Sequence, residues 1–270
     1  MRKQYYAKPL IKWVGGKTQL LDVILQKAPS SFNTYYEPFL GGGAVFFALS
    51  PDKAVINDLN VQLINLYRQI ASDTENVRLM LELLETMHNE EFYYECRNRF
   101  NELISKGENT AETAGLFVYL NKTGFNGLYR INSKGLFNVP SAKKEKVSLY
   151  SMNNLKAASS ALKKATILNC DFEEACNGCG EGDFVFFDSP YYNTFDTYQS
   201  GGFSLECHKR LYELYKRLSD KGAYCMLTNS NEEYIKDLYK DYKIDVVNVR
   251  RMINRNGNDR KGQEVVITNY

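Results

Sequence analysis

Cysteine is scarce, six in 270 residues, and histidine scarcer, only His88 and His208. So few thiols exclude a disulfide-stapled scaffold, and the one close pair, Cys176-Asn177-Gly178-Cys179, has no second ligand pair to complete a zinc site. The pair reads as a glycine-containing surface loop with reduced thiols. No segment approaches the roughly 20 apolar residues that span a bilayer, and the first eight residues hold no signal-peptide core. The expectation is a cytoplasmic protein. A charge excess is missing as well: 34 Lys and Arg against 32 Asp and Glu leave +2. What is present is an ordinary globular mixture, 44% hydrophobic and 24% charged, which excludes disorder and fibrous repeats. The length suits one large α/β unit or two lobes.

The balanced total conceals an uneven distribution. Residues 1–17 carry five bases (Arg2, Lys3, Lys8, Lys12, Lys17) and no acid. Residues 115–164 carry nine bases against Glu145, and residues 243–263 carry six against Asp245 and Asp259. Together these stretches hold +17 and the remainder −15. Three basic stretches on an acidic body suit contact with a polyanion, although lysine-rich solvated loops look the same by charge alone. Aromatics interleave the middle stretch (Phe117, Tyr119, Phe125, Tyr129, Phe137), a pattern shared by core packing and nucleic-acid stacking.

Residues 35–60 read as strand, glycine turn, helix and strand, the start of a βαβ unit. Helical spacing follows over about 61–120, and glycine and asparagine then crowd 121–138 into loops. Strand signals resume at 166–170, 183–188 and 223–228, with an amphipathic helix through Leu211, Leu214, Tyr215 and Leu218. Apolar runs ending in an acid are the mark of buried parallel strands with a functional C-terminal edge.

Two phosphate-site readings fail at single positions. Gly16-Lys17-Thr18 resembles the end of a P-loop, but the glycine required five residues earlier is Ile11. A dinucleotide motif starting at Gly41 needs a third glycine where Phe46 stands. The turn Phe39-Leu40-Gly41-Gly42-Gly43 still allows close backbone approach to a ligand, and Asp58 ends the next strand where nucleotide-binding α/β folds place an acid on ribose hydroxyls. Asp188-Ser189-Pro190-Tyr191 closes the most apolar strand. A carboxylate, a backbone carbonyl and an aromatic together can accept both hydrogens of a planar amine and stack on its ring; an ordinary strand-ending turn has the same composition.

Lys12-Trp13-Val14-Gly15-Gly16-Lys17, Glu37-Pro38-Phe39-Leu40-Gly41-Gly42-Gly43-Ala44, Asn57-Asp58, Asn121 through Arg130, Phe137-Asn138-Val139-Pro140, Asp188-Ser189-Pro190-Tyr191 and Val249-Arg250-Arg251 occur in that order. The ordered set resembles the Dam-type DNA N6-adenine methyltransferases from about residue 10 to the C-terminus. The resemblance implies a Rossmann-like α/β sheet that binds S-adenosylmethionine (1–60 and 165–270), with a helical, loop-rich target-recognition insertion (61–164). It implies methyl transfer to adenine N6 in double-stranded DNA by base flipping, within GATC or a related short site, without a metal. A cognate restriction endonuclease acting on the same site, without direct contact, is the protein partner it allows.

The implied roles fall on matching positions. Trp13, Lys17, Phe39, Gly41, Gly43, Asp58 and Asp188 would serve the cofactor. Asp188, Ser189, Pro190 and Tyr191 would form the catalytic box, and Lys12, Phe125, Asn126, Leu128, Arg130 and Pro140 would meet DNA, with Arg130 on guanine. The chemistry stands by itself: adenine N6 is conjugated and weakly nucleophilic, and inside a duplex it is out of reach, so the base must be flipped and its lone pair aimed. Two positions depart from the family. Ser189 stands where proline is usual, which leads to the expectation of a working but slower enzyme; Ser141-Ala142-Lys143 stands where Phe-Gly-Arg is usual, which bears on outer-base reading. An RNA adenine-N6 methyltransferase and a catalytically silent DNA-binding homologue are the alternatives.

Overall fold

The structure, a computed structural model, describes residues 6–192, 203–250 and 261–270. In chain order the strands are β1 (Tyr35–Glu37), β2 (Ala54–Asn57), β3 (Ala165–Leu168), β4 (Phe184–Phe187), β5 (Tyr224–Ser230), β6 (Lys243–Arg250) and β7 (Lys261–Thr268). The helices are α1 (Leu21–Lys27), α2 (Ala44–Leu49), α3 (Val61–Ser72), α4 (Thr74–Thr86), α5 (Glu90–Ser105), α6 (Ala111–Thr123), α7 (Met152–Leu162), α8 (Phe172–Ala175), α9 (Leu205–Asp220) and α10 (Glu233–Leu238). Among the described residues no helix is long and apolar enough to cross a membrane.

The chain divides into two compact units. The first gathers the described residues of Met1–Gly16, Gly41–Ser50 and Asp58–Asn169. It therefore contains all of the expected insertion, 61–164, and also segments at 6–16 and 41–50 that the sequence reading assigns to the catalytic part. Its centre is α6, buried continuously from Thr113 to Asn121 and packed against α3, α4 and α5. A helix apolar all round belongs in an interior, and this one supplies Leu116, Phe117, Val118, Tyr119 and Leu120 to the core. Helix starts are set by side-chain caps: the Asn60 carboxamide accepts from the amides of Gln62 and Leu63, and the Thr110 hydroxyl from that of Thr113.

The second unit gathers Lys17–Leu40, Pro51–Asn57 and the described residues of Cys170–Tyr270. Its strands run β2-β1-β4-β5-β7-β6, with β2, β1, β4 and β5 parallel and β7 antiparallel to both neighbours. This is the expected Rossmann-like α/β sheet. Phe184-Val185-Phe186-Phe187 is wholly buried because a central parallel strand is covered on both faces, and α9 lays Leu211, Leu214, Tyr215 and Leu218 into the same core. The sheet order reverses between β1 and β4, and the crevice beyond their C-terminal ends is where such folds bind ligands.

The cysteine pair is not in a surface loop. Cys176 and Cys179 are buried members of the second unit's core beside Cys225. Burial pushes the Cys179 thiol up to about 12 and the Cys176 thiol well above its ordinary value, so both act as small apolar side chains.

Candidate active site

At the end of β4, Asp188 receives two bonds on one carboxylate oxygen. Lys17 Nζ lies 2.7 Å from Oδ1, and Thr228 Oγ1, from β5, donates to the same atom at 2.9 Å. Oδ2 accepts no hydrogen bond among the described residues. Burial raises the Asp188 pKa from its ordinary value, while Lys17 and Thr228 pull it down. The carboxylate is thus a desolvated acceptor, steadied by a buried ammonium.

The following turn is tied to β5 one residue after another. Asn229 Nδ2 approaches Ser189 Oγ at 3.4 Å, Asn229 Oδ1 accepts from the Tyr192 amide at 3.0 Å, and Ser230 Oγ donates to the Tyr192 carbonyl at 3.1 Å. Tyr191 Oη donates to Glu264 of β7 at 2.5 Å, and Lys17 Nζ stands 4.7 Å from the Tyr191 ring centre. Burial, and then the charges of Asp188 and Glu264, hold the Tyr191 pKa well above its ordinary value, so it remains a phenol. Lys17, Asp188, Ser189 and Tyr191 are therefore brought together in the second unit. Pro190 completes the turn, and Phe39 packs against Phe172 and Phe203.

In the first unit a second group forms around Gly41. Its amide donates to Asp58 Oδ2 at 2.9 Å, and its carbonyl accepts from Tyr67 Oη at 2.8 Å. Gly41 has φ +49°, and a Cβ there would meet Trp13 Cδ1 at 2.8 Å, so this position requires glycine. Trp13 stacks on Tyr129 with ring centres 5.9 Å apart and meets Phe117 edge-on. Asp58 Oδ1 accepts from the Asn60 amide; burial raises its pKa and the two amides oppose the rise. Gly43, at φ +70°, opens α2.

The loop expected to meet DNA is organised by Asn121. Its carboxamide oxygen accepts from the Lys12 amide at 2.9 Å, and its nitrogen donates to the carbonyls of Lys12 and Gly127, each at 2.8 Å. The segment read as loop is partly helix, since α6 runs to Thr123, and the rest folds back on itself through the bridges Gly124–Ser141 and Ile131–Phe137. Phe125, Asn126, Arg130 and Pro140 are exposed on it, with Leu128 half-buried. Arg130 is held by Asn138, which accepts from Nε through Oδ1 at 2.7 Å and from Nη2 through its carbonyl. Ser141, at the departure from the usual motif, is buried, and its hydroxyl accepts from the Lys143 amide. Lys143 pairs with Glu90.

Sequence reasoning missed Thr228, Asn229, Ser230 and Glu264, and gave Asn121 and Asn138 no separate role. The 223–228 strand signal reached only Thr228, and nothing in it pointed to Asn229, Ser230 or Glu264. Arg2, Lys3 and Arg251 lie outside the described residues, as does the basic segment 251–260.

The family model for D12 class N6 adenine-specific DNA methyltransferase matches residues 13–253. The chain belongs to that family. This D12 class enzyme is an adenine-specific DNA methyltransferase, and its relatives agree over nearly full length. It is 37% identical to the Type II methyltransferase M1.LlaDCHI of Lactococcus lactis subsp. cremoris, over 97% of this chain and 95% of that protein. It is 37% identical to the Type II methyltransferase M.MjaIII of Methanocaldococcus jannaschii, over 97% and 99%. It is 31% identical to the DNA adenine methylase of Escherichia coli (strain K12), over 97% and 95%.

Proposed function

We infer that the chain methylates N6 of an adenine flipped out of double-stranded DNA, within GATC or a related short site, using S-adenosylmethionine. The observation that carries this reading is Asp188: a desolvated carboxylate fixed through Oδ1 by Lys17 and Thr228, with Tyr191 three residues on. Asp188 and the Ser189 carbonyl can accept the two N6 hydrogens, which favours a pyramidal nitrogen and aims its lone pair. Tyr191 supplies the stacking face for the extruded ring. The proton released from N6 after transfer goes to Asp188 or to water; N6 is acidic once it carries positive charge, so no strong base is needed.

The residues also fit the cofactor. The Gly41 turn leaves no room for a side chain beside Trp13, and each Asp58 oxygen, bonded once by a backbone amide among the described residues, keeps a lone pair for hydroxyl groups. Trp13, Lys17, Phe39, Gly41, Gly43 and Asp58 are the residues proposed to hold it. When bound, S-adenosylmethionine supplies an electrophilic methyl group on a sulfonium.

DNA contact is assigned to Lys12, Phe125, Asn126, Leu128, Arg130 and Pro140. With Nε turned to Asn138, the Arg130 guanidinium keeps its Nη1 edge for guanine O6 and N7. Segments 1–60 and 165–270 are read as catalytic and 61–164 as recognition. A cytoplasmic setting and a cognate endonuclease cutting the same site complete the reading.

The test is transfer of labelled methyl groups to three substrates: a GATC duplex, a duplex lacking GATC, and structured RNA. Transfer to adenine of the GATC duplex is expected. Duplex binding without transfer, at ample cofactor, would instead mean a silent DNA-binding protein, and preference for RNA would overturn the substrate assignment. Sequencing of methylated genomic DNA from cells that express the protein reads the target site directly.

A further inference from the structure

Tyr191 is the one member of the Asp188 turn whose side chain reaches a strand two places away in the sheet. Its hydroxyl donates to Glu264 at 2.5 Å, a charge-assisted bond across 73 residues of sequence. Glu264 on β7 faces Ser230 on β5 in the register, and Ser230 Oγ donates to the Tyr192 carbonyl. The β5–β7 pair therefore grips two consecutive residues of the turn, Tyr191 by its side chain and Tyr192 by its backbone.

Stacking depends on the plane of a ring, and a tyrosine with an untethered hydroxyl samples several. A bond at the hydroxyl fixes the plane from beyond the ring edge and covers neither face. A serine at 189 lacks proline's ring constraint, and contacts from β5 and β7 take its place.

We propose that Glu264 is a positioning residue for methyl transfer, acting through Tyr191 to fix the surface on which the flipped adenine stacks. The proposal rests on the adenine-methyltransferase reading and adds a residue from the far antiparallel strand to its site. It specifies a split in the kinetics. Loss of the tether leaves the cofactor in place and loosens only the target base, so the single-turnover rate falls while cofactor affinity stays unchanged.

The experiment compares wild type, Glu264→Ala, Glu264→Gln, Tyr191→Phe and the Glu264→Ala/Tyr191→Phe double variant. Each is assayed for single-turnover methylation of a duplex, for S-adenosylmethionine affinity, and for the fluorescence of 2-aminopurine at the target adenine. Tyr191→Phe keeps the ring and leaves β7 untouched, so it reports on the tether even where Glu264→Ala folds poorly. Glu264→Ala and Tyr191→Phe are each expected to slow transfer about tenfold, and the double variant no more than Tyr191→Phe alone, because Tyr191→Phe already removes the bond to Glu264. Glu264→Gln, which still offers an acceptor, should recover to within about threefold of wild type. The 2-aminopurine signal should change in step with the rate, and cofactor affinity should not move. Wild-type rate and fluorescence in Glu264→Ala and Tyr191→Phe, or multiplicative losses in the double variant, would overturn the proposal and leave the function standing. Absence of transfer by wild type would overturn both.

Discussion

Ser189 shows what one residue in an otherwise familiar box does. Read from sequence, a flexible residue in place of proline leads to the expectation of a slower enzyme. The structure supplies the missing stiffness from outside the turn: Thr228 holds Asp188, Asn229 and Ser230 hold Tyr192, and Glu264 holds Tyr191. Ser189 is itself buried, 2% exposed, with its hydroxyl toward Asn229. A residue already confined on both sides gains little from a locked φ, since proline acts largely by reducing freedom that the chain would otherwise have. Ser189→Pro is therefore expected to change the single-turnover rate by less than about threefold, under 1 kcal/mol of barrier. A tenfold acceleration on that substitution would show that the turn is limited by its backbone after all.

At the level of elements, α9 carries a titratable weakness. His208 is 2% exposed, its Nε2 has no partner among the described residues, and its ring packs on Phe203, with centres 4.7 Å apart, and on Tyr192. Burial lowers its pKa from the ordinary 6.5 to about 4. The folded protein thus favours the neutral ring. The stability this gives is complete above pH 6.5, and it is lost as the pH falls toward 4, on the order of 3 kcal/mol in all. Urea unfolding of wild type and His208→Phe at pH 7.5 and 4.5 measures it: wild type should lose more than the variant on acidification, and equal losses would clear His208. The same elements show what a sequence discloses. β4 and β5 were legible because a strand buried on both faces is a continuous apolar run. β6, with Lys243, Asp245 and Arg250 interrupting its valines, is recognisable as a strand only through its ladder with β7. Likewise Asp188 to Tyr191 could be read as one contiguous motif. Thr228, Asn229, Ser230 and Glu264 could not, because strand register alone carries them to it from 37 or more residues away. Cys176 and Cys179 were misplaced for a related reason: glycine and asparagine between two cysteines suggest a surface turn, and nothing local reveals a core folding over it.

For the whole molecule the question is how much of the uneven charge is available to DNA. Lys17, counted among the basic stretches, is spent on Asp188, and Lys143 is engaged by Glu90. Lys122 is half-buried, with its pKa lowered by that burial. What remains exposed on the described part of the middle stretch, Lys164 aside, is Arg130, Lys134, Lys144, Lys146, Lys156 and Lys163, all in the first unit, with Lys8 and Lys12 exposed in the same unit. A duplex touches one face, so about half of these eight meet phosphate. Each contact releases condensed counterions, which predicts a slope of log affinity against log salt on the order of −4. Binding of a labelled duplex between 50 and 300 mM salt measures it, at saturating cofactor so that the site itself does not vary. Charge reversal of Lys134 should flatten the slope by about one and weaken GATC and unrelated duplexes alike, because a phosphate contact carries no sequence information. Arg130→Ala should instead weaken GATC selectively, by about 1–3 kcal/mol, because a guanine contact does carry it. A slope shallower than about −1 would mean that the basic stretches are solvated surface and that the affinity comes from the base contacts alone.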